Sequence, residues 1–537
     1  MTETLEPGQP VSGTPASACL KRGQGRSSRI GRNTAINLVG AILPLFLSLA
    51  TVPTYLHLIG AARYGVLAVV WVVLGYFGVF DLGLSRAAAN QIARMRDESP
   101  AARERVFWTA LSINASLGAV GGVVLLFLGH VLLGHVLKVS PGLRSEAVAA
   151  LPWLAVAVPL TTVTLVLAGT LEGRERFLAV NTLTIVALAM YQLAPLAYAY
   201  WIGPDLAGLI MSATFALLTS TVLSFVVIAI SLPIRGAPRI DGDRLGALFR
   251  YGGWISVSGI ISPILTLVDR IVIGAVLGAR DVALYTIPYS LVVRVQILSG
   301  SLSRTLFPRF SMLDRHDAAA VGRDAVSTLI AIMTPLTVFG IVVLEPFLRV
   351  WIGADVARTS APVGEILFVG IWANGLAYVP YAFLQAQGRP DLTAKFHLIE
   401  VPPYLAGLVL GLELGGIRGA ACAWTGRAAL DAILLFWGAR AIPSSSGLTG
   451  LRESLGSGLL VTGTCLAALT LFAHPAFRAV LGGLLTLSSL WWGWRVAPVT
   501  ARQRTLQYVT LWRRQALRQL PVDEPLTSHE SSRKDAV

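Results

Sequence analysis

Charged side chains are scarce in this chain. Only 13% of its 537 residues are Asp, Glu, Lys or Arg. A soluble protein of that length needs a far larger charged surface, whereas lipid-facing helices need none, because lipid is their solvent. Cysteine is nearly absent too. Cys19, Cys422 and Cys465 have no metal-ligand or redox spacing, and two of them sit in apolar stretches, so no disulfide framework and no metal site is expected. There is no GxxxxGK[ST] loop, and so no P-loop nucleotide site. Paired carboxylates and a nucleophile triad are also missing, and the longest outer connection, near Leu132 to Ser145, is a loop rather than a domain. These absences argue against an enzyme and give no reason to expect a cofactor.

What is present is apolar. Hydrophobic residues make up 54% of the chain, and mean hydropathy is +0.67. About 20 apolar residues cross a ~30 Å hydrocarbon core. Fourteen such stretches run from Asn33 to Pro498: 34–56, 65–86, 107–131, 146–170, 178–201, 207–232, 252–276, 284–304, 326–350, 362–386, 396–414, 419–437, 456–473 and 479–496. The shortest separations are Gly415 to Arg418 and His474 to Arg478. The net charge of +14 would suit a nucleic-acid binder, but no such motif accompanies it. Its distribution offers another reason. Connections on one side of the predicted topology carry 32 Lys and Arg, and those on the other carry 7. The positive-inside rule then places both termini of a multi-pass membrane protein in the cytoplasm. Residues 1–33 are a basic, Gly/Ser/Pro-rich tail without an apolar signal-peptide core, and 498–537 form a second cytoplasmic tail.

An internal repeat divides the spans. Leu58-Ile59-Gly60-Ala61 follows the first stretch and precedes Tyr64, and Val276-Leu277-Gly278-Ala279 follows the seventh and precedes Tyr285. Ser-Arg pairs, Ser85-Arg86 and Ser303-Arg304, stand at equal distances beyond the two glycines. A repeat six helices long keeps the same orientation in both halves, which is a parallel repeat about the membrane normal. The expected fold is an all-α integral membrane protein of about fourteen helices. It has two pseudo-symmetric six-helix lobes, 34–232 and 252–438, and two added helices in 455–497. Two similar lobes with a cleft between them suit alternating access.

Several segments in this order resemble a known family. They are Pro53 to Arg86, with Tyr64-Gly65 at its entry and Asp81-Leu82-Gly83-Leu84 at its exit, and Tyr251 to Tyr285, with Gly252-Gly253, Asp269-Arg270 and Gly278. Phe307-Pro308, Trp351-Ile352-Gly353, Leu384-Gln385-Ala386 before Gly388-Arg389, and Gly419-Ala420-Ala421 follow. Together they resemble the polysaccharide-repeat flippases of the multidrug/oligosaccharidyl-lipid/polysaccharide exporter superfamily. The resemblance implies a two-lobed fold with a cationic central cavity for a sugar-diphosphate headgroup, the polyprenyl tail staying in the bilayer. The implied partners are a lipid-linked oligosaccharide and the membrane, with a polysaccharide polymerase and glycosyltransferases acting on the same lipid, and no nucleic acid.

Mid-membrane charge picks out the candidate residues, since an ionised group there costs roughly 2.5–3.5 kcal/mol or more and needs a partner or water. Arg294 lies about 15 Å into the eighth helix and Arg427 about 12 Å into the twelfth. Both are candidate diphosphate ligands, because guanidinium matches that group with paired hydrogen bonds. Arg427 also has Asp431 four residues on, a same-face structural partner. Arg270 is a third candidate ligand, although snorkelling to the outer interface is a simpler account of it. Its neighbour Asp269 points about 100° away on a helix and could pair with Arg294 instead. Asp81, Arg86 and Arg304 stand where an inner gate or a plain interfacial charge belt would. Asp269 and Asp431 are coupling candidates. His397 and Glu400 begin the eleventh helix, where a carboxylate complements the helix dipole.

Two other transporter readings fit less well. A peptidoglycan-precursor flippase would carry its key arginines in the first lobe, which is almost uncharged at mid-depth. A cation-coupled drug exporter often has a carboxylate in its first helix, and 34–56 has none.

Overall fold

The structure is a computed structural model that describes, with interruptions, residues 46–133, 138–231, 268–440 and 451–503, and residue 507. No strand occurs among the described residues. In chain order the helices are α1 (49–71), α2 (Pro100–Val131), α3 (Pro141–Gly173), α4 (Phe177–Trp201), α5 (Leu206–Ser231), α6 (268–276), α7 (Ala279–Val292), α8 (Gln296–Met312), α9 (Arg315–Ile352), α10 (Ala354–Ala386), α11 (Pro390–Arg440), α12 (Leu451–Thr470) and α13 (Pro475–Val496). Eight helical stretches among these residues are long and apolar enough to cross a bilayer. The chain is a multi-pass, all-α membrane protein.

Glycines turn the chain between consecutive spans. Gly60, Gly278, Gly353, Gly388 and Gly416 all have positive φ, a region that a Cβ disfavours. They lie in the expected gaps between the first and second, seventh and eighth, ninth and tenth, tenth and eleventh, and eleventh and twelfth apolar stretches. At Gly60 and Gly416 a single left-handed residue separates one helix from the next, so 49–71 and Pro390–Arg440 each hold the end of one span and the start of the next. Gly60 and Gly278, the paired glycines of the sequence repeat, share this left-handed geometry.

The helices outrun their apolar stretches. α9 starts at Arg315 rather than 326, and α3 covers Pro141–Gly173 rather than 146–170. Polar turns keep their backbone bonds internal beyond the hydrocarbon edge, and hydropathy alone does not register them.

Contacts gather the chain into two compact units. The first holds the described residues up to Val293 with Leu344–Leu367 and Ala394–Arg427. In it, α2 lies close on α3. Pro159 lacks an N–H, so the Ala155 carbonyl one turn earlier loses its helical donor. Gly122 of α2 fits against that carbonyl, where any Cβ would overlap it. Such small-residue contacts let membrane helices approach without a hydrophobic driving force. On α5, Phe215, Leu218, Val222, Val226 and Ile230 recur at helical spacing and are exposed, while Leu209, Ile210, Ala213 and Ala216 are buried. This amphipathy suits a helix with one face on lipid.

One end of this unit is tightly closed. Gly65 of α1 meets the Ala279 carbonyl at the start of α7 so closely that no Cβ would fit. The Lys138 backbone N–H donates to the Gly274 carbonyl at 3.1 Å, and its Nζ to the Val276 carbonyl at 2.9 Å, completing the last turn of α6. Arg63 forms a forked pair with Glu146 at 2.9 and 2.6 Å, and Glu146 also accepts from the Leu206 N–H.

The second unit comprises Arg294–Val343, Phe368–Thr393 and the described residues from Ala428. There α13 packs on α9 through Gly482 against Val342 and Gly493 against Ala331. Trp492 donates to Ser457 of α12 at 2.8 Å.

Candidate functional site

Each unit carries one concentration of polar chemistry. In the first, two arginines sit among aromatic rings. Arg270 is 3% exposed, pairs with Asp269 at 3.3 Å, and lies 4.3 Å over the Tyr289 ring. Asp269 is fully buried and also accepts from the Tyr285 hydroxyl at 3.0 Å. Tyr289 meets Trp424 edge-on at 5.7 Å. Arg427 lies 5.5 Å from the Tyr404 ring and 5.6 Å from Trp424, and pairs with buried Glu400 at 3.4 Å. Each guanidinium therefore has one carboxylate and at least one ring face, the pairing that a buried cation requires.

This geometry differs from the sequence expectation in three respects. Arg270 does not snorkel but is enclosed. Asp269 is joined to its own neighbour, because its carboxylate turns back to accept the Arg270 backbone N–H at 2.7 Å and so comes within reach of the long guanidinium. The 100° rule for Cβ directions does not govern a side chain of that length. Arg427 finds its carboxylate in Glu400, distant in sequence, where sequence spacing offers Asp431.

In the second unit Arg294 occupies a 3-10 turn, Val293–Val295, between α7 and α8. The break interrupts the 34-residue apolar stretch Ala279–Met312 near its middle. Arg294 is half-buried and makes no hydrogen bond or ion pair among the described residues. Two residues on, Gln296 donates through Nε2 to Asn374 Oδ1 at 2.5 Å, and Asn374 donates to Asp431 at 3.4 Å. Arg304 is exposed on α8 and reaches Ser301 at 3.4 Å.

The gate candidates are only partly visible. Asp81 is buried and accepts from the Ser85 N–H at 2.9 Å and hydroxyl at 2.6 Å. Arg86 lies outside the described residues. Sequence reasoning passed over Gln296, Asn374, Tyr285 and Tyr404. Mid-membrane charge alone picked out the candidates, and an amide in mid-span was the signal that could have found the first two.

A stack of long apolar helices with buried guanidinium groups and no folded loop domain among the described residues is the architecture of a membrane transporter. The chain belongs to a family described as polysaccharide biosynthesis protein, whose model matches residues 30–314. It is 28% identical over 407 residues to the Shigella flexneri protein named "Putative O-antigen transporter", covering 76% of this chain and 96% of that one. In fold it is similar to a solved lipid II flippase MurJ in an inward closed conformation, with TM-score 0.63, 14% identity, 88% of this chain covered and 99% of that one. It is also similar to an inward-facing multidrug resistance MATE family transporter of the MOP superfamily, with TM-score 0.61, 13% identity and coverage of 80% and 98%. At these identities the two structures bear on the fold alone.

Proposed function

We propose that this protein is a flippase for polyprenyl-diphosphate-linked oligosaccharide repeat units, working by alternating access in the bacterial inner membrane with both termini in the cytoplasm, and that it catalyses no covalent step. The observation that carries this reading is Arg294. A half-buried guanidinium without a partner among the described residues, on a 3-10 break in the middle of an apolar stretch, is a costly arrangement. A diphosphate headgroup offers it two parallel charge-assisted hydrogen bonds. Arg270 and Arg427 already hold Asp269 and Glu400, so an anion reaching them competes with those carboxylates. Arg304 and Asp81 belong, in this reading, to the inner gate.

The closed end at Gly65, Lys138 and Ala279 is the outer gate. It lies on the side of the topology with few Lys and Arg, and these contacts must part for the headgroup to leave. A family of polysaccharide biosynthesis proteins and a relative named "Putative O-antigen transporter" support the substrate class. The test is reconstitution of the full chain in liposomes with fluorescently tagged undecaprenyl-diphosphate oligosaccharide. Movement to the protected leaflet should exceed that in protein-free liposomes at least tenfold, and equal rates would reject the proposal.

A further inference from the structure

Beside Arg294 lies a second polar array, made of uncharged groups. On α8, Gln296, Ser299, Gly300 and Ser303 fall on one face at i, i+3, i+4 and i+7. That face meets Asn374, Gly375 and Tyr378 of α10. Ser303 donates to the Tyr378 carbonyl at 3.2 Å. A Cβ on Gly375 would come 3.0 Å from the Ser299 hydroxyl, and one on Gly300 would come 3.6 Å from the Tyr378 ring. The serine bond and the two glycines already hold the helices together, so packing does not require the amides.

The amides form a row. Gln296 donates to Asn374, and Asn374 donates to Asp431. Much of their bonding capacity is nevertheless unused. Among the described residues the Gln296 Oε1 has no partner, and neither has the Tyr378 hydroxyl. The Ser299 hydroxyl is fully buried and also unpartnered. Gln296, Asn374, Tyr378 and Tyr381 are all half-buried, so part of each side chain remains accessible. Inside a membrane protein, unspent donors and acceptors at mid-span mark a pathway or a ligand.

We propose that Gln296, Asn374 and Asp431, flanked by the rings of Tyr378 and Tyr381, form a saccharide subsite that binds the sugar attached to the diphosphate. Planar amide and carboxylate groups hydrogen-bond the adjacent hydroxyls of a sugar, and tyrosine rings cover its C–H face. The carboxylate that ends the row suits a polyhydroxylated ring and not a second phosphate. Arg294 precedes Gln296 by two residues, on the 3-10 turn from which α8 starts. The subsite rests on the flippase reading, and the experiment separates the two.

Purified full-length chain in nanodiscs is titrated with bare undecaprenyl diphosphate and with undecaprenyl diphosphate bearing glucose, galactose or N-acetylglucosamine. Wild type should bind at least one sugar lipid tenfold or more tightly than the bare lipid. Asn374→Leu and Gln296→Leu should erase that preference while leaving affinity for the bare lipid within twofold. Tyr378→Phe, which keeps the ring and the fold, should lose two- to fivefold on the sugar lipid only. The subsite is overturned if wild type shows no preference, if the preference survives in all three variants, or if sugar and bare lipids weaken together. Absence of binding to every diphosphate lipid by wild type would reject the flippase reading along with it.

Discussion

At the residue scale, the arginines fall into two kinds, and substitution should separate them. Arg270 and Arg427 are enclosed ions whose carboxylates, Asp269 and Glu400, are fully buried. Removing one partner of such a pair leaves an uncompensated charge, which costs about 3–5 kcal/mol. Arg270→Ala should therefore lower the thermal transition of the solubilised protein by several degrees. Arg294→Ala orphans no carboxylate and should leave the transition within a degree or two. Matching losses would show that Arg294 has a structural partner in the folded state. The place of Arg294 near the middle of an apolar run was legible in the sequence. The pairing of Arg427 with Glu400 was not, because sequence spacing reveals only partners on the same helix.

At the scale of elements, close approach makes the strongest demands. Gly65 leaves no space for a side chain at the Ala279 carbonyl, so Gly65→Leu should keep the outer gate from closing. Transport should fall at least tenfold, and a cysteine at Lys138 should become more reactive to a membrane-impermeant maleimide than in a Lys138→Cys single variant. Unchanged labelling and transport would rule out a gate there. Turn geometry gives a second expectation. Gly278 has φ of 105° with the Lys138 carbonyl 3.0 Å from its Cβ position. Gly278→Val should destabilise the protein by about 1–3 kcal/mol through backbone strain, read as a lower unfolding temperature. The sites of these turns could be read in advance from short glycine-bearing gaps between apolar runs. Helix lengths could not, because helical hydrogen bonding continues through polar turns such as the start of α9 at Arg315.

For the whole molecule, the account rests on a chemical division between the two units. One keeps Arg270 and Arg427 neutralised among aromatic rings, and the other holds a row of amides and a guanidinium without a partner among the described residues. Composition and charge asymmetry were enough to anticipate a multi-pass all-α protein. The amide row escaped notice because Gln296 and Asn374 carry no charge, and charge alone selected the candidates. The most direct measurement compares translocation of tagged undecaprenyl-diphosphate oligosaccharide by wild type and Arg294→Ala, reconstituted at equal, verified density. The account predicts at least a hundredfold loss in the variant, with Arg294→Lys intermediate because it keeps the charge and loses the fork. Wild-type rates in Arg294→Ala would contradict it.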